Sequence, residues 1–178
     1  AVVALIARKM GDAGQLDPAM WVVFLHSEAW VSYLVPGLIG TLMATVFSVL
    51  LAGVFGVLFG AGRLSHNAWI RRLSGLVVEF FRAVPVLIMM FFFKYLLVWG
   101  RWFDNALNPL IAVILALTLY NGSVIAELVR SGVHALPAGQ HEAGLSLGLT
   151  RGQTLRLVQL PQSLVAMLPA LIAQFVVV

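Results

Sequence analysis

Residues 29–62 contain no charged side chain. A run of that length needs either a very large soluble core or the hydrocarbon of a bilayer, and the chain has too little polar material for the first. Of its 178 residues, 61% are hydrophobic and 10% charged, and the mean hydropathy is +1.00. Soluble domains carry about 25% charged residues, so a water-exposed surface cannot be assembled from this composition. In hydrocarbon every backbone N–H and C=O must be satisfied within the protein. The expected fold is therefore an all-α, polytopic bundle of membrane helices.

A spanning helix needs about 20 apolar residues. Residues 38–62 supply one, introduced by Pro36 and Gly37. A second span is expected over 75–99, interrupted by Glu79, Arg82, Pro85 and Lys94, and a third over 110–133, with Glu127 and Arg130 near its end. Residues 1–7 would cover only about 10 Å as a helix, and 164–178 stop after about 15 residues, short of a full crossing. Both ends thus read as truncated spans beside three complete ones. Residues 1–35 form the end of an N-terminal span plus an interfacial segment with Trp21, His26 and Trp30, and 36–178 form the main transmembrane domain. The loop 63–72 has three Arg and no acid, and Arg130, Arg151 and Arg156 lie two spans later. The positive-inside bias puts both on the cytoplasmic side. Arg8 and Lys9 run against this rule, offset by Asp12, Asp17 and Glu28. The basic residues are thus loop anchors at a membrane, and no nucleic acid is implied by the net charge of +4. Gly56-x3-Gly60 fits a close helix approach, though glycine is common in membrane helices and the pair alone favours the bland reading.

Between the third span and the terminal apolar stretch, residues 134–161 form a polar island. Pro137 suits a helix start, so a short helix is expected over 138–147, with Glu142 early, where the dipole favours a carboxylate. Gly148 fits a C-terminal cap. Thr150-x-x-Gln153 has capping-box form, so a second helix is expected from Thr150 to Pro161. A helix–Gly–helix elbow is more than a connecting loop requires, and it is a candidate docking surface.

The island's spacing, Glu142-Ala143-Gly144-x3-Gly148-x9-Val158-x-Leu160-Pro161, resembles the EAA loop of ABC importer permeases, Glu-Ala-Ala-x3-Gly-x9-Ile-x-Leu-Pro, with Gly144 and Val158 as the departures. Further stretches resemble the polar amino acid importers among them: Gly37-Leu-Ile-Gly-Thr41-Leu, Glu79-Phe-Phe-Arg82-Ala-Val-Pro85, Leu119-Tyr120-Asn121 onward to Gly132, and Leu147-Gly-Leu-Thr with Gln153, Arg156 and Gln162. Asp12 to Pro18 and Phe80 to Ile88 further resemble glutamate importers of the actinobacterial type. The resemblance implies a bundle of about five spans, of which the chain holds three and parts of two. It also implies a permease subunit, itself no enzyme, that moves a polar amino acid, glutamate by the narrower match, into the cytoplasm by alternating access. ATP and Mg would be bound by a separate cytoplasmic ATPase subunit gripping the elbow, with Glu142 as docking carboxylate, Ala143 and Gly144 as small contact positions, Gly148 as the bend, and Leu160 and Pro161 as the return to the membrane. A second permease subunit, an external amino-acid-binding protein and bilayer lipid are the other implied partners, in a bacterial cytoplasmic membrane. No phosphate-binding Gly-x4-Gly-Lys-Ser/Thr loop is present, and no cofactor is expected on this chain.

Ionisable residues inside spans usually face a partner or a cavity. Glu79/Arg82 and Glu127/Arg130 are each three apart, so each pair can meet on one helix face. The first pair serves either as an anchor or in the solute path; the second reads as an anchor. Tyr120 and Asn121, beside Gly122 and Ser123, form a polar break deep in the third span and are the better candidates for solute contact. Lys94 is expected to snorkel to the interface. His66, His134 and His141 are too scattered for a metal site, and no catalytic constellation is present. The competing reading is an ion-driven secondary transporter acting without an ATPase, for which intramembrane Glu and Arg suit but the elbow has no role.

Overall fold

A computed structural model describes residues 2–177, which are helices and turns without a strand among the described residues. Two compact units are present, Ala1–Met43 and Ala44–Val178. In the first, α1 (Val2–Asp12) is followed by short helical turns. The segment expected at an interface is pinned by its indoles: Trp21 Nε1 donates to the Gln15 carbonyl at 3.0 Å and Trp30 Nε1 to that of Phe24 at 2.7 Å. Helix α2 (Val35–Arg63) then begins.

The second unit is organised by α5 (Asn108–His134). Helix α2 presents to it a face on which every fourth residue is small and buried: Ala44, Ser48, Ala52, Gly56 and Gly60. A Cβ on Gly56 would lie 2.6 Å from Ile125 Cβ, and one on Gly60 2.8 Å from Val129 Cβ. The Gly56-x3-Gly60 pattern is therefore a packing device, contrary to the bland reading of the pair. What decides it is the continuation of the stripe over four turns, which two glycines alone do not reveal. Gly53 has open space at its Cβ position. Ala52, Ile125, Val129 and Leu171 form the apolar centre, with Leu128, Leu160, Leu164 and Met167 against it.

The second expected span is not one helix. Helix α3 (Ala68–Ala83) and α4 (Val86–Gly100) meet at a bend of 100°. The cause is Pro85: the residue before a proline is driven out of the α region, and Val84 is extended at φ −83°, ψ 125°. Asn67 caps α3 through its side chain, which accepts from the Trp69 N–H. Helix α4, about 22 Å long by its 15 residues, packs along α5.

After the elbow helix α6 (Ala138–Ser146), α7 runs Arg151–Ala166 and α8 Leu168–Val177, the latter two bent by 62°. The expected end at Pro161 does not occur. A proline inside an α-helix collides with the carbonyl four residues back, but Leu155–Gln159 widen into a π turn, with the Leu160 N–H bonding the Leu155 carbonyl. The added residue makes room and the helix continues. The same device, Trp30–Leu34 with the Val35 N–H on the Trp30 carbonyl, precedes Pro36. Ser27–Arg63 and Asn108–His134 are long and apolar enough to cross a membrane, and the two bent pairs qualify if each counts as one span.

Candidate functional site

The elbow is built almost entirely by local chemistry. Gly148 adopts φ +80°, which only glycine reaches without strain. Its N–H bonds the Leu145 carbonyl at 3.0 Å while the Leu149 N–H bonds that of Gly144 at 3.2 Å, a paired closure that ends α6. Two residues later the capping box forms as the sequence indicates. Thr150 Oγ1 accepts from the Gln153 N–H at 3.3 Å, and Gln153 Oε1 accepts from the Thr150 N–H at 2.8 Å.

The two arms then lock. Gly144 is buried against Thr154, which is fully buried: a Cβ at 144 would lie 2.5 Å from Thr154 Cγ2 and 2.8 Å from its Oγ1. Gly144 is thus an internal spacer between the arms; its small size serves this chain's own packing. Gln162 Nε2 donates to Gln140 Oε1 at 3.0 Å across the same seam. Leu160 packs on the apolar centre of the bundle, so the root of the elbow is fixed to α5 and α2, while Pro161 is exposed. The outward residues of α6 include Glu142, Ala143, Leu145 and Ser146 and, just past its end, Leu147, which at 82% is far more exposed than Leu145 at 38%. Glu142 makes no ion pair among the described residues. A rigid two-arm lever therefore offers one carboxylate, small neighbours and, at Leu147, a prominent apolar knob.

Next to the lever's root lies a charge hub. Glu127 on α5 receives Arg63 from the end of α2 at 2.5 Å, Arg130 at 2.7 Å and Arg82 from the end of α3 at 3.4 Å. Glu79 meets Arg63 at 3.3 Å. The expected Glu127/Arg130 pair is present. Glu79 and Arg82 do not pair with each other, because α3 turns Arg82 towards α5 and Glu79 towards α2. Arg63, read from sequence only as a loop charge, is the member that reasoning missed. Its side chain is 12% exposed, and no local signal marks a partner 64 positions away.

Of the four intramembrane polar candidates, three share a cavity of 490 Å³: Arg82, Tyr120 and Asn121, with the Val84–Pro85–Val86 break forming one wall. Glu79 lines a different cavity, beside Arg63. Asn121 is nearly buried and held on both ends. Its Nδ2 donates to the Leu117 carbonyl at 3.0 Å, and its Oδ1 accepts from Gln174 Nε2 at 2.6 Å. The first turn of α4 opens at this cavity, and initial N–H groups of a helix lack intrahelical partners and favour anions. One guanidinium, one helix N-terminus and neutral hydrogen-bonding groups can hold a small zwitterion or acid.

Comparisons with known proteins agree with this anatomy. The chain is 46% identical over 164 residues to the glutamate transport system permease protein of Corynebacterium glutamicum, covering 92% of this chain and 60% of that protein. It is 32% identical to the glutamate/aspartate import permease of Escherichia coli O157:H7 over 82% of this chain and 67% of the relative. With the probable glutamine ABC transporter permease of Bacillus subtilis it shares 31% over 85% of this chain and 68% of that one. Among solved structures, an amino acid ABC transporter crystallised with histidines superposes with TM-score 0.68 at 29% identity, over 80% of this chain and 65% of that one. The methionine transporter MetNI in inward-facing form gives 0.67 at 26% identity, over 85% and 72%. The chain spans about 60% of the length of the Corynebacterium relative. The model of the binding-protein-dependent transport system inner membrane component matches residues 52–178, which include the hub, the cavity and the elbow, and the chain belongs to that family.

Proposed function

We propose that this chain is the membrane-embedded permease subunit of an ATP-driven importer of polar amino acids, with glutamate the favoured cargo, in a bacterial cytoplasmic membrane. The observation that carries the reading is the exposed face of Glu142, Ala143 and Leu147 on an elbow whose two arms are locked to each other at Gly144–Thr154 and Gln140–Gln162. In this reading a cytoplasmic ATPase subunit binds ATP and Mg and grips that face, with Gly148 setting the bend and Leu160 carrying motion into α5. Closure of the motor swings the elbow and rocks the helices between inward- and outward-open arrangements, a rigid-body switch. Solute delivered by an external binding protein enters a path shared with a second permease subunit. Arg82 and the start of α4 would hold its carboxylate, with Tyr120 adding a hydrogen bond and Asn121, held by Leu117 and Gln174, lining the path. An ion-driven transporter working alone would leave the Glu142 face without a partner.

The test is uptake by the full-length permease, reconstituted with its ATPase subunit and supplied with binding protein and labelled glutamate. Glu142→Lys and Leu147→Asp are each expected to lower uptake and stimulated ATP hydrolysis to below about a tenth by loss of a charge-assisted contact and an apolar anchor, with binding-protein affinity for the permease unchanged. Undiminished, ATP-dependent uptake by both variants would overturn the coupling assignment.

A further inference from the structure

The elbow end of the second unit carries more positive charge than its ion pairs use. A cavity of 430 Å³ is lined by Arg63, Arg71, Arg72 and Arg130, with Glu79 the one carboxylate on its wall. Arg63 and Arg130 share Glu127, but Arg71 and Arg72 pair with no carboxylate among the described residues. Arg71 is held in place all the same. Its Nη1 donates to the Ser65 carbonyl at 2.9 Å and the His66 carbonyl at 3.4 Å, which orients the guanidinium without neutralising it. Gly75, which also lines the cavity, has open space where a Cβ would be.

The helix bearing Arg71 and Arg72 is turned sharply from the one that follows it. Because α4 packs along α5, the 100° bend at Pro85 lays α3 across the direction of the spans. Its buried face is Ser74 and Val78. The opposite face is an unbroken apolar stripe, Trp69, Leu73, Leu76 and Phe80, each at least 61% exposed. A helix with one apolar stripe and a basic flank, lying in the membrane plane, is the form that buries its stripe at the acyl boundary and keeps its charges among headgroups. Basic niches between spans on the cytoplasmic side suit anionic headgroups.

We propose that Arg63, Arg71, Arg72 and Arg130 form a site for the phosphate of an anionic phospholipid of the inner leaflet, whose acyl chains run along the Trp69–Phe80 stripe. The phosphate's negative charge meets the two uncompensated guanidiniums, and Arg63 and Arg130 close the inner wall. Occupied, the site ties the ends of α2, α3 and α5 beside the elbow to one lipid. The leaflet assignment rests on the proposed cytoplasmic position of the elbow.

The experiment uses the full-length permease with its ATPase subunit. Retention of phosphatidylglycerol against phosphatidylcholine is measured by native mass spectrometry for wild type and for Arg71→Gln/Arg72→Gln. Each arginine at an anionic surface contributes on the order of fivefold, so the double variant is expected to lose roughly 20- to 30-fold of the preference for phosphatidylglycerol. A second measurement keeps the native arginines. The Trp69 fluorescence, taken as the difference between wild type and Trp69→Phe, is expected to be quenched more by brominated phosphatidylglycerol than by brominated phosphatidylcholine. Unchanged lipid preference in the double variant, or equal quenching by the two lipids, would overturn the proposal. So would displacement of the retained lipid by millimolar inorganic phosphate, which would mark a site for free phosphate. None of these readouts needs transport, so their failure is separate from failure of the Glu142 uptake test.

Discussion

Replacing Gly144 by Ala would restore the alanine that the family's loop pattern carries, and resemblance alone makes that change neutral or favourable. The structure gives the opposite sign. Exchange of Gly for Ala in a helix gains about 0.8–1 kcal/mol of propensity. Against this, the new methyl would sit 2.5 Å from Thr154 Cγ2, 2.8 Å from Oγ1 and 3.1 Å from Cβ, on a side chain with no exposed surface. Thr is stiff at χ1, and Oγ1 is tied to the Thr150 carbonyl at 3.1 Å, so it cannot swing aside freely. Overpacking of this kind costs about 1–3 kcal/mol, and the contact is close enough to take the upper part of that range. Gly144→Ala should therefore destabilise the elbow by about 1–2 kcal/mol. Thr154→Ala removes both close atoms, and the double variant should recover most of the loss, a coupling of about 1–2 kcal/mol between the sites. The assay is hydrogen exchange of the amides in α6 and α7 of the full-length permease, with ATPase coupling measured in parallel. A Gly144→Ala protein with undiminished protection, or one that Thr154→Ala does not rescue, would refute the reasoning.

Glu127→Gln leaves Arg63, Arg82 and Arg130 without their shared carboxylate. Breaking a buried network by removing one partner costs about 3–5 kcal/mol; with the Glu127 side chain 24% exposed, about 2–3 kcal/mol is expected in denaturant or thermal unfolding, and less for Arg82→Gln, whose contact is longer. Thr150→Ala removes the acceptor for the Gln153 N–H and should cost about 1 kcal/mol, read as roughly fivefold faster exchange of the first amides of α7. Two glycines of α2 should behave oppositely. Gly60→Ala meets Val129 and, at 3.0 Å, the Ala126 carbonyl oxygen, a backbone atom that cannot yield, and should lower the unfolding midpoint, whereas Gly53→Ala, in open space, should leave it unchanged or raise it.

The bend of the elbow was legible in the sequence because its determinants are local. A left-handed glycine, a Thr-x-x-Gln cap and a helix-starting proline act on neighbours within four positions, and the structure places Gly148, Thr150 and Pro137 in those roles. The all-helical membrane class was likewise fixed by hydropathy, since solvent transfer depends on composition along a segment and not on its partners. Where a rule is local but has two outcomes, sequence left the choice open: Pro85 breaks its span while Pro161 is absorbed by a π turn, and surrounding packing selects between them. Partnerships were out of reach. Glu127 could be assigned Arg130 from spacing, but its contacts to Arg63 and Arg82, the fit of Gly144 on Thr154 and the Asn121–Gln174 bond join residues brought together by helices crossing at particular angles. Sequence set what each segment is, because backbone hydrogen bonding and burial are decided within a few residues. Only the tertiary structure set which side chains share a cavity or a charge, because a carboxylate finds its partners across space and not along the chain.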